Sequence, residues 1–224
     1  MKYLANNRYT SLILIIVLCV ATSCNSAYQP KPTAYYAIEL PKSRTYIPFN
    51  LPNYPYTFEY PNDAAIVQDS TFFTTNEQNN DWINVDYPAY NCKLYLSYNK
   101  VNGTSLYKVK DAATGIYKDS LGTNTLDKLR NDAFNLTAKH IYKSSQIIDE
   151  KISTPNGISG VLFKVGGDAA SPIQFFVTDS TTHFLRGALY YNAQPKQDST
   201  KPVTEFLLKD IMHICNTLQW KPKP

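Results

Sequence analysis

Glycine and charge are both in short supply in this chain. Only 8 of its 224 residues are glycine, too few for a Gly-rich phosphate cradle, a collagen-like repeat or a flexible linker architecture. Charged residues make up 18% and the formal net charge is +4, against roughly 25% charged residues in an average soluble domain. A nucleic-acid surface needs clustered Lys and Arg, so no nucleic-acid partner is expected. The 3 histidines, His140, His183 and His213, are scattered. None has a second His or Cys at ligand spacing, so neither a metal nor any other cofactor is expected.

Aromatic residues and prolines are plentiful. There are 18 Tyr, 10 Phe and 2 Trp, the composition of β-rich cores and contact surfaces. Seven of the 14 prolines fall between Pro30 and Pro61, which forbids a long helix there and favours extended backbone. From Tyr35 to Pro61 the prolines alternate with apolar and aromatic residues, so this stretch is expected to lie against the domain.

The first residues read as an address. Lys2 and Arg8 precede the apolar run Ser11 to Val20, too short to cross a bilayer alone. Ala21-Thr22-Ser23 then lead into Cys24. A basic start, a short apolar core and a small-residue exit define a secretory signal, and a Cys at that point resembles a bacterial lipobox. Residues 1–23 are therefore expected to be removed, Cys24 to be acylated (palmitate among its chains), and residues 24–33 to form a tether. Loss of Lys2 and Arg8 lowers the formal charge from +4 to +2, so attachment would rest on acyl chains and not on a polybasic patch. Of the four cysteines, Cys92 and Cys215 remain in the mature domain, 34–224, where a disulfide between them is one expectation and free buried thiols the other.

Strand signals occur at Trp82–Val85, Lys93–Tyr98, Ile158–Val165, Ile173–Asp179 and Phe184–Tyr191. The last two form an expected hairpin around Ser180–His183. Cys92, Leu94, Leu96 and Tyr98 share one strand face. Phe184, Ala188 and Tyr190 oppose Leu185, Leu189 and Tyr191, which predicts a central strand covered on both sides. Thr125 is expected to cap a helix reaching about Lys143. Pro202 is expected in the first turn of a second helix whose stripe is Val203, Phe206, Leu207, Ile211, Ile214 and Leu218, stopped by Pro222. The expected fold is α+β, an antiparallel sheet layered with helices.

Several motifs together carry a resemblance. Gln174 to Ser180 (QFFVTDS) and His183 to Tyr190 (HFLRGALY) are joined by Pro30-Lys31-Pro32, Phe58-Glu59-Tyr60-Pro61, Trp82-Ile83-Asn84, Leu94 to Tyr98 and Trp220-Lys221. This set resembles the GldD family, gliding-motility-associated lipoproteins of the Bacteroidota, across essentially the whole mature chain. The resemblance implies a role in gliding motility and type IX secretion, with other envelope proteins as partners and no catalytic residues. The order of elements is similar to PsbP-like α/β/α sandwich domains. Asn25-Ser26-Ala27-Tyr28 lacks the acidic stretch of surface-exported lipoproteins. The expected location is therefore a lipid-anchored periplasmic face, the outer membrane's.

The site candidates are few. Asp179, Ser180 and His183 place acid, hydroxyl and imidazole in one turn, but sequence neighbours rarely reach triad geometry and no G-x-S-x-G elbow is present. Arg186 shares a face with Phe184 and Ala188 and so needs a partner. Asp179 is the structural candidate, and recognition of a ligand or protein partner is the functional one. Asp-Ser pairs at Ser70, Ser120, Ser180 and Ser199 resemble O-glycosylation sequons and also suit turns. The leading expectation is a non-enzymatic component acting through protein contacts. The alternative is a ligand-binding module for a lipid or a peptidoglycan fragment.

Overall fold

The structure is a computed structural model that describes residues 39–68, 81–193 and 196–221. Cys24, the tether and Pro222 lie outside the described residues. Seven strands form one antiparallel sheet in the order β3 (Ala65–Val67), β4 (Ile83–Tyr87), β5 (Cys92–Lys100), β11 (His183–Tyr191), β10 (Ile173–Thr178), β9 (Ser159–Gly167) and β8 (Ser144–Ser153). The five strands expected from alternation are all present. The turn Asp179–Thr182 joins β10 to β11 in the register Thr178↔Phe184.

One face of this sheet is sealed by α2 (Gln197–Thr217). Val203, Leu207, Ile211 and Ile214 are buried against Leu94, Leu96, Leu185 and Leu189, each worth about 1.5–3 kcal/mol of apolar burial. Gly187 belongs to the same face. A Cβ there would sit 2.1 Å from the Phe175 ring, so glycine lets that ring cross the strand. The other face carries α1 (Leu126–Ala138), with Leu129 and Ala133 packed on Phe163, Phe176 and Phe184. Thr125 Oγ1 accepts the Lys128 N–H at 3.3 Å, the expected cap.

Both helices differ in extent from the sequence reading. The first ends at Ala138 and gives way to a 3₁₀ turn at Ile141–Lys143 before β8 begins, because the apolar stripe finishes at Thr137. The second begins five residues before Pro202, with Ser199 and Thr200 N–H groups donating to the Lys196 carbonyl. Pro202 thus lies inside the helix. Leu218 is already extended, and β12 (Gln219–Trp220) pairs with β2 (Tyr56–Pro61).

The proline-spaced segment supplies β1 (Tyr46–Phe49) and β2, which join β12 in a three-stranded sheet. Phe49, Tyr54, Tyr56 and Phe58 are buried with α2 and the main sheet in one core. Phe49 lies 5.0 Å from both Tyr54 and Phe58, ring to ring. A buried ion pair pins this segment to α2. Asp210 is fully buried, and Arg44 Nη2 donates to its Oδ2 at 2.5 Å while Tyr46 O–H donates to Oδ1 at 2.9 Å. Arg44 also pairs with Asp63 and lies 4.6 Å from the Phe206 ring centre. Burial works against the Arg44 charge, but hydrogen bonds and charge from Asp210 and Asp63 outweigh it and raise its pKa.

Of the two expectations for the mature cysteines, the disulfide is not the one formed. Cys92 and Cys215 are free thiols, each buried as a small apolar side chain within the α2-side core. Burial pushes both thiols up to about 12, far from thiolate reactivity.

Two outcomes follow from this packing. Asp210→Ala leaves Arg44 without its buried carboxylate and is expected to lower stability by about 3–5 kcal/mol, read from urea midpoints. An unchanged midpoint would show the clasp to be idle. Reductant is expected to leave the unfolding temperature unchanged, and both thiols to react with a disulfide reagent only after denaturation.

Candidate functional site

The helical cover of the sheet is unequal, and the shortfall opens a groove. At 1.5 Å per residue α1 is about 20 Å long and α2 about 31 Å, while seven strands at ~4.8 Å spacing span about 29 Å. The short helix packs on β10 and β11. Beside it the outer faces of β4 and β5 carry Asn84, Tyr95, Ser97 and Asn99, which line a groove of about 430 Å³ with α1 and β11. The third wall is the hairpin of β6 (Thr104–Lys110) and β7 (Tyr117–Thr123), a separate two-stranded sheet. Its base is held by Asn124, whose Nδ2 donates to Ser105 Oγ at 2.8 Å and whose Oδ1 accepts from Tyr107 O–H.

Arg186 lies on the groove side of β11, together with Phe184, Ala188 and Tyr190. Its expected pairing with Asp179 is not formed. Asp179 Oδ1 instead accepts the N–H groups of Thr181, Thr182 and His183 at 2.8–3.0 Å, closing the β10–β11 turn. Arg186 Nη2 donates to Gln174 Oε1 at 2.5 Å. Burial lowers the Arg186 pKa and Tyr190 opposes the shift. His140, at the end of α1, also lines the groove, and burial and then the Arg186 charge lower its pKa.

The turn does not assemble a triad. Ser180 has a φ of 65°, and its N–H donates to Thr178 Oγ1 at 2.9 Å. His183 Nδ1 lies 2.7 Å from Tyr98 Oη, and its ring stacks on Trp220 at 4.9 Å. Burial pushes the Tyr98 hydroxyl up to about 12. The O–H is thus retained and can donate to a neutral imidazole. Burial lowers His183 first, Asp179 partly offsets that, and Lys100 adds to the lowering. Burial would raise Asp179, but its three backbone hydrogen bonds prevail and lower it.

The remaining sequence candidates are dispersed. Ser120 is exposed on β7, and Ser180 is exposed in the turn. Ser199 Oγ donates to the Lys196 carbonyl at 3.0 Å, while Ser70 lies outside the described residues. Among the described residues no group of three His, Cys, Asp or Glu is placed to hold a metal. The groove itself went unread in the sequence. Its signal was the second face of β5, where Lys93, Tyr95, Ser97 and Asn99 alternate with the apolar set. A polar and aromatic face on an inner strand marks sheet that no helix seals.

Comparison with known proteins decides the family. Residues 25–220 match the family described as gliding motility lipoprotein GldD. The chain belongs to that family. GldD family membership links it to gliding motility and to a membrane-anchored place in the cell envelope. Among the described residues no helix is long and apolar enough to cross a membrane. No curated protein matches the chain. Among solved structures it is similar to cyanobacterial PsbP (CyanoP) from Synechocystis sp. PCC 6803. That match has 10% identity and a TM-score of 0.40, and covers 84% of this chain and 98% of the other.

His140 and His183, both with lowered pKa values, make stability depend on pH. A folded histidine pKa below the unfolded value of about 6.5 means the unfolded chain binds more protons in that window. Stability is therefore present above pH ~6.5 and is lost as pH falls through the folded values. Urea unfolding is expected to need more denaturant at pH 7 than at pH 5, with a shallower dependence in His183→Phe. A flat or inverted wild-type profile would contradict the buried neutral imidazoles.

Proposed function

We propose that this GldD family member is a non-enzymatic contact subunit of the gliding machinery and the associated type IX secretion apparatus. It is held by acylated Cys24 on the periplasmic face of a membrane, the outer one, and works by binding other envelope proteins. The observation that carries this reading is the uneven distribution of exposed apolar side chains. Among the described residues, nine of the 13 large exposed hydrophobics lie between Leu106 and Tyr142, in the hairpin, α1 and the turn after it. Leu121 is 73% exposed and Tyr142 95%.

A concentration of exposed apolar side chains in one part of a protein supports its reading as an interaction surface. The hairpin strengthens the reading. Leu106 and Leu121 are cross-strand partners on a two-stranded sheet, and a lone hairpin gains little stability without a packing partner. O-glycans at Ser120 or Ser180 belong to the same proposal, since both serines are exposed.

The test is isolation of the acylated full-length protein from native membranes. Leu121→Glu and Tyr142→Glu are expected to lose co-purifying envelope proteins and motility. Both substitutions are at exposed sites and are expected to change stability by no more than about 0.5 kcal/mol. Retention of every partner by both variants would overturn the assignment of this surface.

A further inference from the structure

We propose that the groove between α1, β5 and β11 binds a small monocarboxylate with an apolar body, its carboxylate held by the guanidinium of Arg186. The inference goes beyond the protein-contact reading and stands or falls separately from it.

The argument begins with charge. Buried arginines are ordinarily paired, as Arg44 is with Asp210 and Asp63 in this same molecule. Arg186 has no carboxylate within ion-pair distance among the described residues. Asp132, the one carboxylate lining the groove, makes no ion pair with it. The other cation at the groove is the exposed Lys139, and His140 beside it is kept neutral by burial and by Arg186, so the local balance is positive. Among the described residues only Nη2 of the guanidinium has a hydrogen-bond partner, Gln174. Nε and Nη1 remain as a donor pair on a residue that lines the cavity, and a planar donor fork matches a carboxylate in two-point fashion.

Gln174 adds an independent sign. Arginine can only donate, so Gln174 must turn its carbonyl oxygen towards Arg186. Thr137 Oγ1 also lies 3.3 Å from that oxygen. The Gln174 amide nitrogen is then left buried with no partner. An unsatisfied buried donor is unfavourable, and here it accompanies an arrangement that holds the guanidinium in place. That is how a pre-positioned binding group differs from a structural ion pair.

The rest of the groove defines the ligand's body. Its volume of about 430 Å³ lies in the range of small-molecule sites. Phe184, Tyr190, Tyr95, Leu129 and Ala188 supply apolar and aromatic wall. One guanidinium in such surroundings suits a single negative charge better than a phosphate dianion, which calls for several cations or backbone donors.

The experiment uses the acylated full-length protein in nanodiscs, with ligand-detected NMR and calorimetry. Five probes are compared: 4-phenylbutyrate, its neutral amide, phenyl phosphate, and the tripeptide Leu-Leu-Phe with a free and with an amidated C-terminus. 4-Phenylbutyrate is expected to bind, and its amide to bind roughly 10- to 100-fold more weakly. Arg186→Gln is expected to erase that difference, and Ser97→Phe, which fills the groove beside the guanidinium, to abolish binding with the charge intact. Should Arg186→Gln fail to fold, Ser97→Phe and the acid-to-amide ratio carry the test. A free peptide that outbinds 4-phenylbutyrate identifies a chain terminus as the natural carboxylate, and the reverse order identifies a free organic acid. Equal binding of acid and amide, preference for phenyl phosphate, unchanged binding in the variants, or no binding at all would each overturn the proposal.

Discussion

The structure turns on the coverage of one sheet by two helices of unequal length. β10 and β11 sit in the middle of seven strands and are apolar on both faces, so both faces must be removed from water. On one side the 21-residue α2 and the aromatic N-terminal strands share the task and leave a sealed core. On the other side a 13-residue helix packs mainly over β10 and β11 and reaches Phe163 of β9. Among the described residues, the part of that face beyond the helix is polar and aromatic and is roofed by a hairpin. A groove and an exposed apolar patch both result from this single mismatch.

The two arginines on opposite sides of the sheet show how burial and pairing divide their roles. Arg44 meets a fully buried carboxylate and holds an extended, proline-rich segment onto α2. Without that clasp, a segment with no helix of its own would rely on aromatic packing and on the short β2–β12 pairing to stay in place. Arg186 meets a neutral amide on the far side of the sheet. A guanidinium bonded to Gln174 keeps its full positive charge, and a positive charge in an apolar groove is a recognition element more than a structural one.

Much of the fold was legible because burial leaves a period in the chain. The alternation through Cys92, Leu94, Leu96 and Tyr98 predicted a strand with one core face, and both faces of β11 read as covered, which they are. Strands without a strong period were not legible. β8 is an edge strand, largely exposed, and β7 is exposed along nearly its whole length, so neither needs an apolar face. Helix α2 extends five residues before Pro202, because Ser199 and Thr200 close a first turn on Lys196 that no apolar residue marks. The site was legible only in part. Arg186 stood out by its position on an apolar strand face, but its partner did not. Gln174 faces it from the neighbouring strand through the register Gln174↔Ala188, two residues displaced from Arg186.

Local patterning, by itself, determined the α+β class, the central strands, the Thr125 cap and the family motifs. Those properties depend on neighbours within a few residues, or on the one-dimensional rhythm of burial. Tertiary structure alone decided that Asp179 closes its own turn while Arg186 bonds Gln174, that Cys92 and Cys215 remain apart as thiols, and that a groove exists. Each of those depends on which groups meet across the sheet and how far a helix reaches. Strand order and helix length set such distances in three dimensions, and spacing along the chain does not record them.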